Sequence, residues 1–153
     1  MEEKETIQPI EITWEELQSR DLERYILVDT RGDEAVNYGM IPGAIAIPEC
    51  ELIDRLAGAA GDKKVILYCS RGQNSKASAE YFREQGMDVY SLQGGYTGWL
   101  LNLMQKDPEA ASEIIQKAVQ SDAVYYEEIS TTDGCQNEYY NYFYAVLAMS
   151  CLF

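Results

Sequence analysis

Between residues 69 and 75 the chain reads Cys69-Ser70-Arg71-Gly72-Gln73-Asn74-Ser75, a cysteine followed by a polar loop with one glycine. Set between a buried strand and a helix, such a loop lets backbone N–H groups converge on one point as a nest of partial positive charge. A cysteine at the base of that nest has its thiolate stabilised, and the thiolate is the nucleophilic form. The same nest suits an anionic substrate oxygen or the outer sulfur of a persulfide. Arg71 and Lys76 add local positive charge to an otherwise acidic chain. A cysteine that ends a strand is frequently no more than a small buried hydrophobe. What sets Cys69 apart is the loop behind it and the helix start that follows.

The chain contains no histidine. That removes Ser-His-Asp and Cys-His catalysis and leaves no expectation of a catalytic zinc site, or of any metal or cofactor. Cys69 must therefore be activated by something other than an imidazole. The other cysteines, Cys50, Cys135 and Cys151, are irregularly spaced and form no C-x-x-C pair, which reads as reduced thiols. The N-terminus lacks the basic start and apolar run of a signal peptide, and Tyr142 to Phe153 is too short to span a bilayer. A cytoplasmic location is the expectation. With 12 basic residues against 26 acidic ones, net −14, the chain is unsuited to nucleic acid or an anionic membrane. The acidity would suit a basic protein partner, although solubility is the simpler reading.

The elements that must position Cys69 are legible from patterning. Thr13 and Glu16 form a capping box, with Ile12 and Leu17 as a hydrophobic staple, for a short helix from Trp14 to about Ser19. Tyr25 to Val28 and Val65 to Tyr68 are continuous apolar runs, as in buried strands of a parallel sheet. Ile45 to Ile47 and Val89 to Leu92 are further strand candidates, and residues 30–44 are rich in turn formers. Helices are expected after Leu52, ended by the glycines at 58 and 61, over Ser75 to Gln85, and around Trp99 to Met104. Strand and helix alternate, which predicts a parallel α/β sheet flanked by helices. Ligands of such sheets bind at the carboxyl ends of the strands, where Cys69 falls.

Three segments carry a family resemblance. Leu27-Val28-Asp29-Thr30-Arg31 with Gly39-Met40-Ile41-Pro42-Gly43-Ala44 resembles a "hDhR … GHIPGA" signature, where h is apolar. Tyr68-Cys69 through Ser75 resembles a C-x-x-G-x-R-S loop, and Leu92-Gln93-Gly94-Gly95 through Trp99 resembles "L-x-GG-x-x-x-W". Together and in this order they resemble the single-domain rhodanese-like (sulfurtransferase) family. The resemblance implies a three-layer rhodanese-like α/β fold over residues 8–104, which leaves residues 105–153 as a C-terminal extension, and patterning predicts that extension to be helical at about 108–120. It implies that Cys69 takes the outer sulfur of thiosulfate or of a protein persulfide and passes it to a thiol, cyanide or protein acceptor. By the same analogy, Ser70, Arg71, Gly72, Gln73, Asn74 and Ser75 cradle the persulfide, and Asp29 and Arg31 support the strand ends.

The chain departs from the family pattern twice. Asn74 stands at the loop arginine, with Arg71 three residues earlier, and Met40 stands at the histidine. The first departure weighs against thiosulfate more than against persulfide chemistry. Phosphatases of similar fold resemble C-x5-R, and here the arginine position is Ser75, which argues against phosphate transfer. The competing function is a catalytically weak rhodanese-like module kept for protein docking or regulation. In the extension, Asp107-Pro108 starts a helix with a stripe of Ala111, Ile114, Ile115, Ala118 and Val119. Beyond it Asp133-Gly134 marks a turn, Cys135 is a candidate resolving thiol, and the tyrosines at 139, 140, 142 and 144 suggest packing or self-association.

Overall fold

The computed structural model describes residues 9–130, with side chains as far as residue 119. The expectations for the turn at Asp133-Gly134, for Cys135 and Cys151 and for the tyrosine cluster lie outside the described residues.

Five strands form one parallel sheet: β1 (Glu11–Ile12), β2 (Tyr25–Asp29), β3 (Ile45–Ala46), β4 (Lys64–Tyr68) and β5 (Val89–Leu92). Their order is β1-β5-β4-β2-β3, so β4 is central, pairing with β2 over its whole length, Tyr25 opposite Lys64 to Asp29 opposite Tyr68. Among the described residues six α-helices flank it: α1 (Trp14–Gln18), α2 (Asp33–Asn37), α3 (Leu52–Ala60), α4 (Gln73–Glu84), α5 (Gly95–Lys106) and α6 (Pro108–Ser130).

Alternation along the strands divides the apolar residues into two cores. On one face Ile66, Tyr68, Tyr90 and Leu92 pack with Leu17 of α1, Tyr96, Trp99 and Leu100 of α5 and Ala111 of α6. On the other, Val28, Val65, Leu67 and Val89 pack with Leu52 and Leu56 of α3 and Ala79 and Phe82 of α4. With both faces covered, strand residues are apolar in succession, as in Val65-Ile66-Leu67-Tyr68, all at 1% exposure or less. The three-layer α/β architecture is as expected.

Local signals at helix starts are also in place. Thr13 Oγ1 accepts from the Glu16 amide at 3.0 Å and the Glu16 carboxylate accepts from the Thr13 amide at 2.9 Å, a complete capping box. The Asp107 carboxylate accepts from the Ala110 amide at the start of α6.

Five elements differ from expectation, one of them α5, which starts at Gly95 rather than near Trp99 and runs to Lys106. Residues 30–44 contain a one-turn helix, α2, where only turns were expected. Gly58 lies inside α3, and Gly61, at φ 58°, alone ends it. Helix α4 begins at Gln73, two residues early, for a reason that lies in the site itself. Helix α6 runs ten residues beyond the expected 120, to Ser130, because no glycine or proline interrupts the sequence before Gly134. Among the described residues, no helix is long and apolar enough to cross a membrane.

Candidate active site

The chain leaves β2 and β4, which lie side by side, in opposite directions. The segment after β2 crosses the face that buries Ile41, and the segment after β4 crosses the face that buries Ala79 and Phe82. A parallel sheet opens a crevice at such a switch point, outside the carboxyl ends of its strands. Here a pocket of about 450 Å³ opens between Thr30 to Tyr38 on one side and Cys69 to Asn74 on the other, with Glu49 contributing from beyond β3.

Cys69 lies at the base of this pocket, 8% exposed. Its sulfur accepts from the Gly72 amide at 3.1 Å and the Ser75 amide at 3.4 Å, with the Ser75 hydroxyl also at 3.4 Å. Gly72 is the N-cap residue of α4, at φ 99°, and Ser75 is the third residue of that helix. A capping side chain usually accepts this third-residue amide. In this chain the Cys69 sulfur does so, and α4 starts at Gln73 with no side chain from Gly72. This explains both the early helix start and the state of the thiol.

The electrostatic outcome follows from opposed effects. Burial pushes the Cys69 thiol up, but the Ser75 hydroxyl and the amides of Ser75, Gly72 and Arg71 outweigh it, leaving the pKa below its ordinary value. Helix α4 adds the partial positive charge of its N-terminus.

The remaining residues singled out by sequence divide in two. Gly72 and Ser75 touch the sulfur and the Arg71 amide adds to its stabilisation, while Arg71 also lines the pocket together with Ser70, Gln73 and Asn74. Asp29 and Arg31 form a buried pair, the guanidinium reaching both carboxylate oxygens at 2.7–3.1 Å. Arg31 also donates to the Gly39 carbonyl and lies 4.0 Å from the Tyr96 ring centroid. The pair thus ties the loop after β2 to α5. Replacing Asp29 by Asn would leave a guanidinium that is 8% exposed without its counter-charge. The expected loss is about 2–4 kcal/mol of stability by urea denaturation.

Several residues escaped the sequence reading. Ser91, fully buried on β5, has its hydroxyl 2.7 Å from that of Ser75. A serine inside the apolar run Val89 to Leu92 was the available signal, since a buried hydroxyl needs a partner. Thr30 fixes the end of β4 through two bonds to the Tyr68 carbonyl, at 2.9 and 3.0 Å. Glu34 and Glu49 line the pocket, and nothing in local sequence brings them together.

Comparisons with known proteins agree with this geometry. The model of the rhodanese-like domain matches residues 13–102. The chain is 33% identical over 84 residues to a protein named thiosulfate sulfurtransferase GlpE in Pseudoalteromonas translucida, covering 54% of this chain and 80% of that protein. It is 38% identical over 87 residues to an HTH-type transcriptional regulator of Mycobacterium tuberculosis, covering 56% of this chain but only 38% of the regulator. Among solved structures, a rhodanese-related protein from Thermoplasma volcanium matches with a TM-score of 0.54 at 26% identity, over 60% of this chain and 91% of that one. The family match begins at the cap of α1 and ends inside α5, taking in every segment that lines the pocket, and the chain belongs to the rhodanese-like domain family.

Proposed function

We propose that the protein is a sulfurtransferase in which Cys69 is the nucleophile. The observation that carries this reading is the convergence of the Gly72 and Ser75 amides and the Ser75 hydroxyl on the Cys69 sulfur, at the base of an open pocket. The thiolate attacks the outer sulfur of a donor, either thiosulfate or a persulfide. The donor's S–S bond breaks, and its electron pair leaves on sulfite or on the donor thiolate. The resulting Cys69 persulfide carries its charge on the outer sulfur, which the loop of residues 70–75 receives. An acceptor thiolate, cyanide or a protein thiol then attacks that sulfur, and the electron pair returns to Cys69. Asp29 and Arg31 hold the neighbouring loop and take no part in bond making. No step calls on a metal or cofactor. Free-thiol chemistry of this kind fits a reducing compartment such as the cytoplasm.

The test is intact mass after incubation with thiosulfate or with a persulfide donor. Gain of one sulfur, removed by cyanide as thiocyanate, is the expected result. No gain from either donor would defeat the proposal. The match to part of a transcriptional regulator favours one other reading, a domain used for docking or regulation. Under that reading Cys69→Ala would keep partner binding and the wild type would take up no sulfur.

A further inference from the structure

We infer that Ser91 is a positioning residue for the release of sulfur: acting through Ser75, it holds a hydrogen bond ready for the Cys69 thiolate that leaves when an acceptor takes the outer sulfur. This rests on the sulfurtransferase reading and assigns a residue to its second half-reaction.

Successive side chains of a strand point to opposite faces, so Ser91 shares with Val89 the face of β5 that α4 covers. That face is otherwise apolar, with Val65 and Leu67 of β4 and Ala79 and Phe82 of α4. Ser91 is fully buried there, and its amide is already bound to the Ile10 carbonyl at 2.8 Å. A hydroxyl in such surroundings needs a partner, and the Ser75 hydroxyl lies 2.7 Å away. Ser75 is fully buried as well, and its oxygen is 3.4 Å from the Cys69 sulfur. The three side chains form a row from the core to the nucleophile. With Ser91 donating, the Ser75 oxygen is occupied and its proton is directed at the sulfur, polarised by the bond behind it.

This row acts unequally on the two halves of the reaction. In loading, Cys69 starts as the thiolate, and hydrogen bonds to it stabilise the ground state while blunting its attack, since nucleophilicity falls with thiol basicity. In the persulfide the charge has moved to the outer sulfur, so the Cys69 sulfur draws little on Ser75. When an acceptor such as cyanide attacks the outer sulfur, the bond between the two sulfurs breaks and its electron pair returns to the Cys69 sulfur. The Ser75 proton then meets growing negative charge, an interaction stronger in the transition state than before it. Ser91, which keeps that proton in place, thus favours giving sulfur away over holding it.

The experiment follows the two half-reactions separately by intact mass, at one fixed pH above the Cys69 alkylation midpoint of every protein compared. Loading uses glutathione persulfide as the donor. Release starts from protein loaded in this way, freed of excess donor and mixed with cyanide. The proteins are the wild type, Ser91→Ala, and the pair Ser91→Thr and Ser91→Val, which match in shape and differ in the hydroxyl. Arg31, Glu34, Glu49 and Arg71 line the pocket ahead of the sulfur, and Lys76 follows Ser75 on α4. All are the same in every protein, so their effects cancel in the comparison. Release should slow about two- to tenfold in Ser91→Ala, the effect of one hydrogen bond, while loading stays within about twofold of the wild type. Ser91→Thr should release faster than Ser91→Val by a similar factor, and this pair decides the matter if Ser91→Ala melts too low to assay. Equal slowing of both halves, or equal release by the Thr and Val variants, would reduce Ser91 to packing and overturn the proposal while leaving the sulfurtransferase standing. A wild type that takes up no sulfur would overturn both readings.

Discussion

Cys69→Ser is expected to take up no sulfur from any donor, and Ser75→Ala to take it up at about a tenth of the wild-type rate at neutral pH. Serine keeps the size and polarity of the site, but an alcohol is not ionised near neutrality and its oxygen is a poor nucleophile toward sulfur. Ser75→Ala removes a donor to the thiolate and also takes the Ser75 partner from the buried Ser91 hydroxyl. The Ser75 hydroxyl has one proton, and its neighbours are the Cys69 sulfur at 3.4 Å and the Ser91 hydroxyl at 2.7 Å. When Cys69 is a thiolate, Ser75 donates to it, and Ser91 must then donate to Ser75. A hydrogen bond to a charged group contributes about 1.5–3 kcal/mol, and its loss returns a matching share of thiolate to thiol.

The sign of the pH dependence follows. The folded-state pKa of Cys69 is lowered, because hydrogen bonds from Ser75, Gly72 and Arg71 outweigh burial. The thiolate is thus favoured by the fold. Its contribution to stability is fully present above the ordinary thiol pKa and is lost as pH falls through the lowered value. Alkylation by iodoacetamide, followed against pH, should rise with a midpoint below that of free cysteine. In Ser75→Ala the midpoint should move up, and activity should recover at alkaline pH. An unmoved midpoint would mean that the backbone amides alone hold the thiolate.

How far the site could be read from sequence depended on how local its causes are. The Cys69-to-Ser75 loop was legible because one short segment carries the nucleophile, two of its amide donors and the Ser75 hydroxyl. The Thr13–Glu16 box and the β2 and β4 runs were legible for the same reason, since their partners lie within a few residues. The rest depends on strand order. Ser91 reaches Ser75 only because β5 lies beside β4, and Glu49 reaches the pocket only because β3 lies beside β2. The opposed crossings after β2 and β4, which open the pocket, are likewise a property of the order β4-β2-β3 and of no single segment. The length of α6 could have been read directly. No helix-breaking residue stands between Pro108 and Gly134, so the sequence permits a helix well past residue 120.

Gly95→Ala is expected to disable the site from the far side of the loop. Gly95 is the first residue of α5 and has φ of 60°. The close approach matters more. A Cβ on Gly95 would stand 2.4 Å from the Cys69 carbonyl oxygen, 2.8 Å from the Ser70 carbonyl carbon and 2.9 Å from the Arg71 amide nitrogen. All three are backbone atoms of the sulfur-binding loop, so no side chain can swing aside to relieve the overlap. The first turn of α5 is also bonded to that loop, Tyr96 donating to the Cys69 carbonyl at 2.8 Å and Thr97 to the Ser70 carbonyl at 2.9 Å. The methyl group would therefore force apart two segments that these bonds hold together. Overpacking against well-ordered atoms costs about 1–3 kcal/mol, and the left-handed backbone adds about 1 kcal/mol for a residue with a Cβ. A loss of about 2–4 kcal/mol in denaturant unfolding is the expected result. The functional loss should exceed it, because a displacement of 1 Å in the loop separates the Gly72 and Ser75 amides from the sulfur, a misplacement that costs about a hundredfold in rate. Sulfur loading by the folded fraction of the variant should fall accordingly, with the midpoint of Cys69 alkylation shifted toward that of an ordinary thiol. A variant that unfolds more easily yet loads sulfur at the wild-type rate would show that the contact between α5 and the loop serves stability alone.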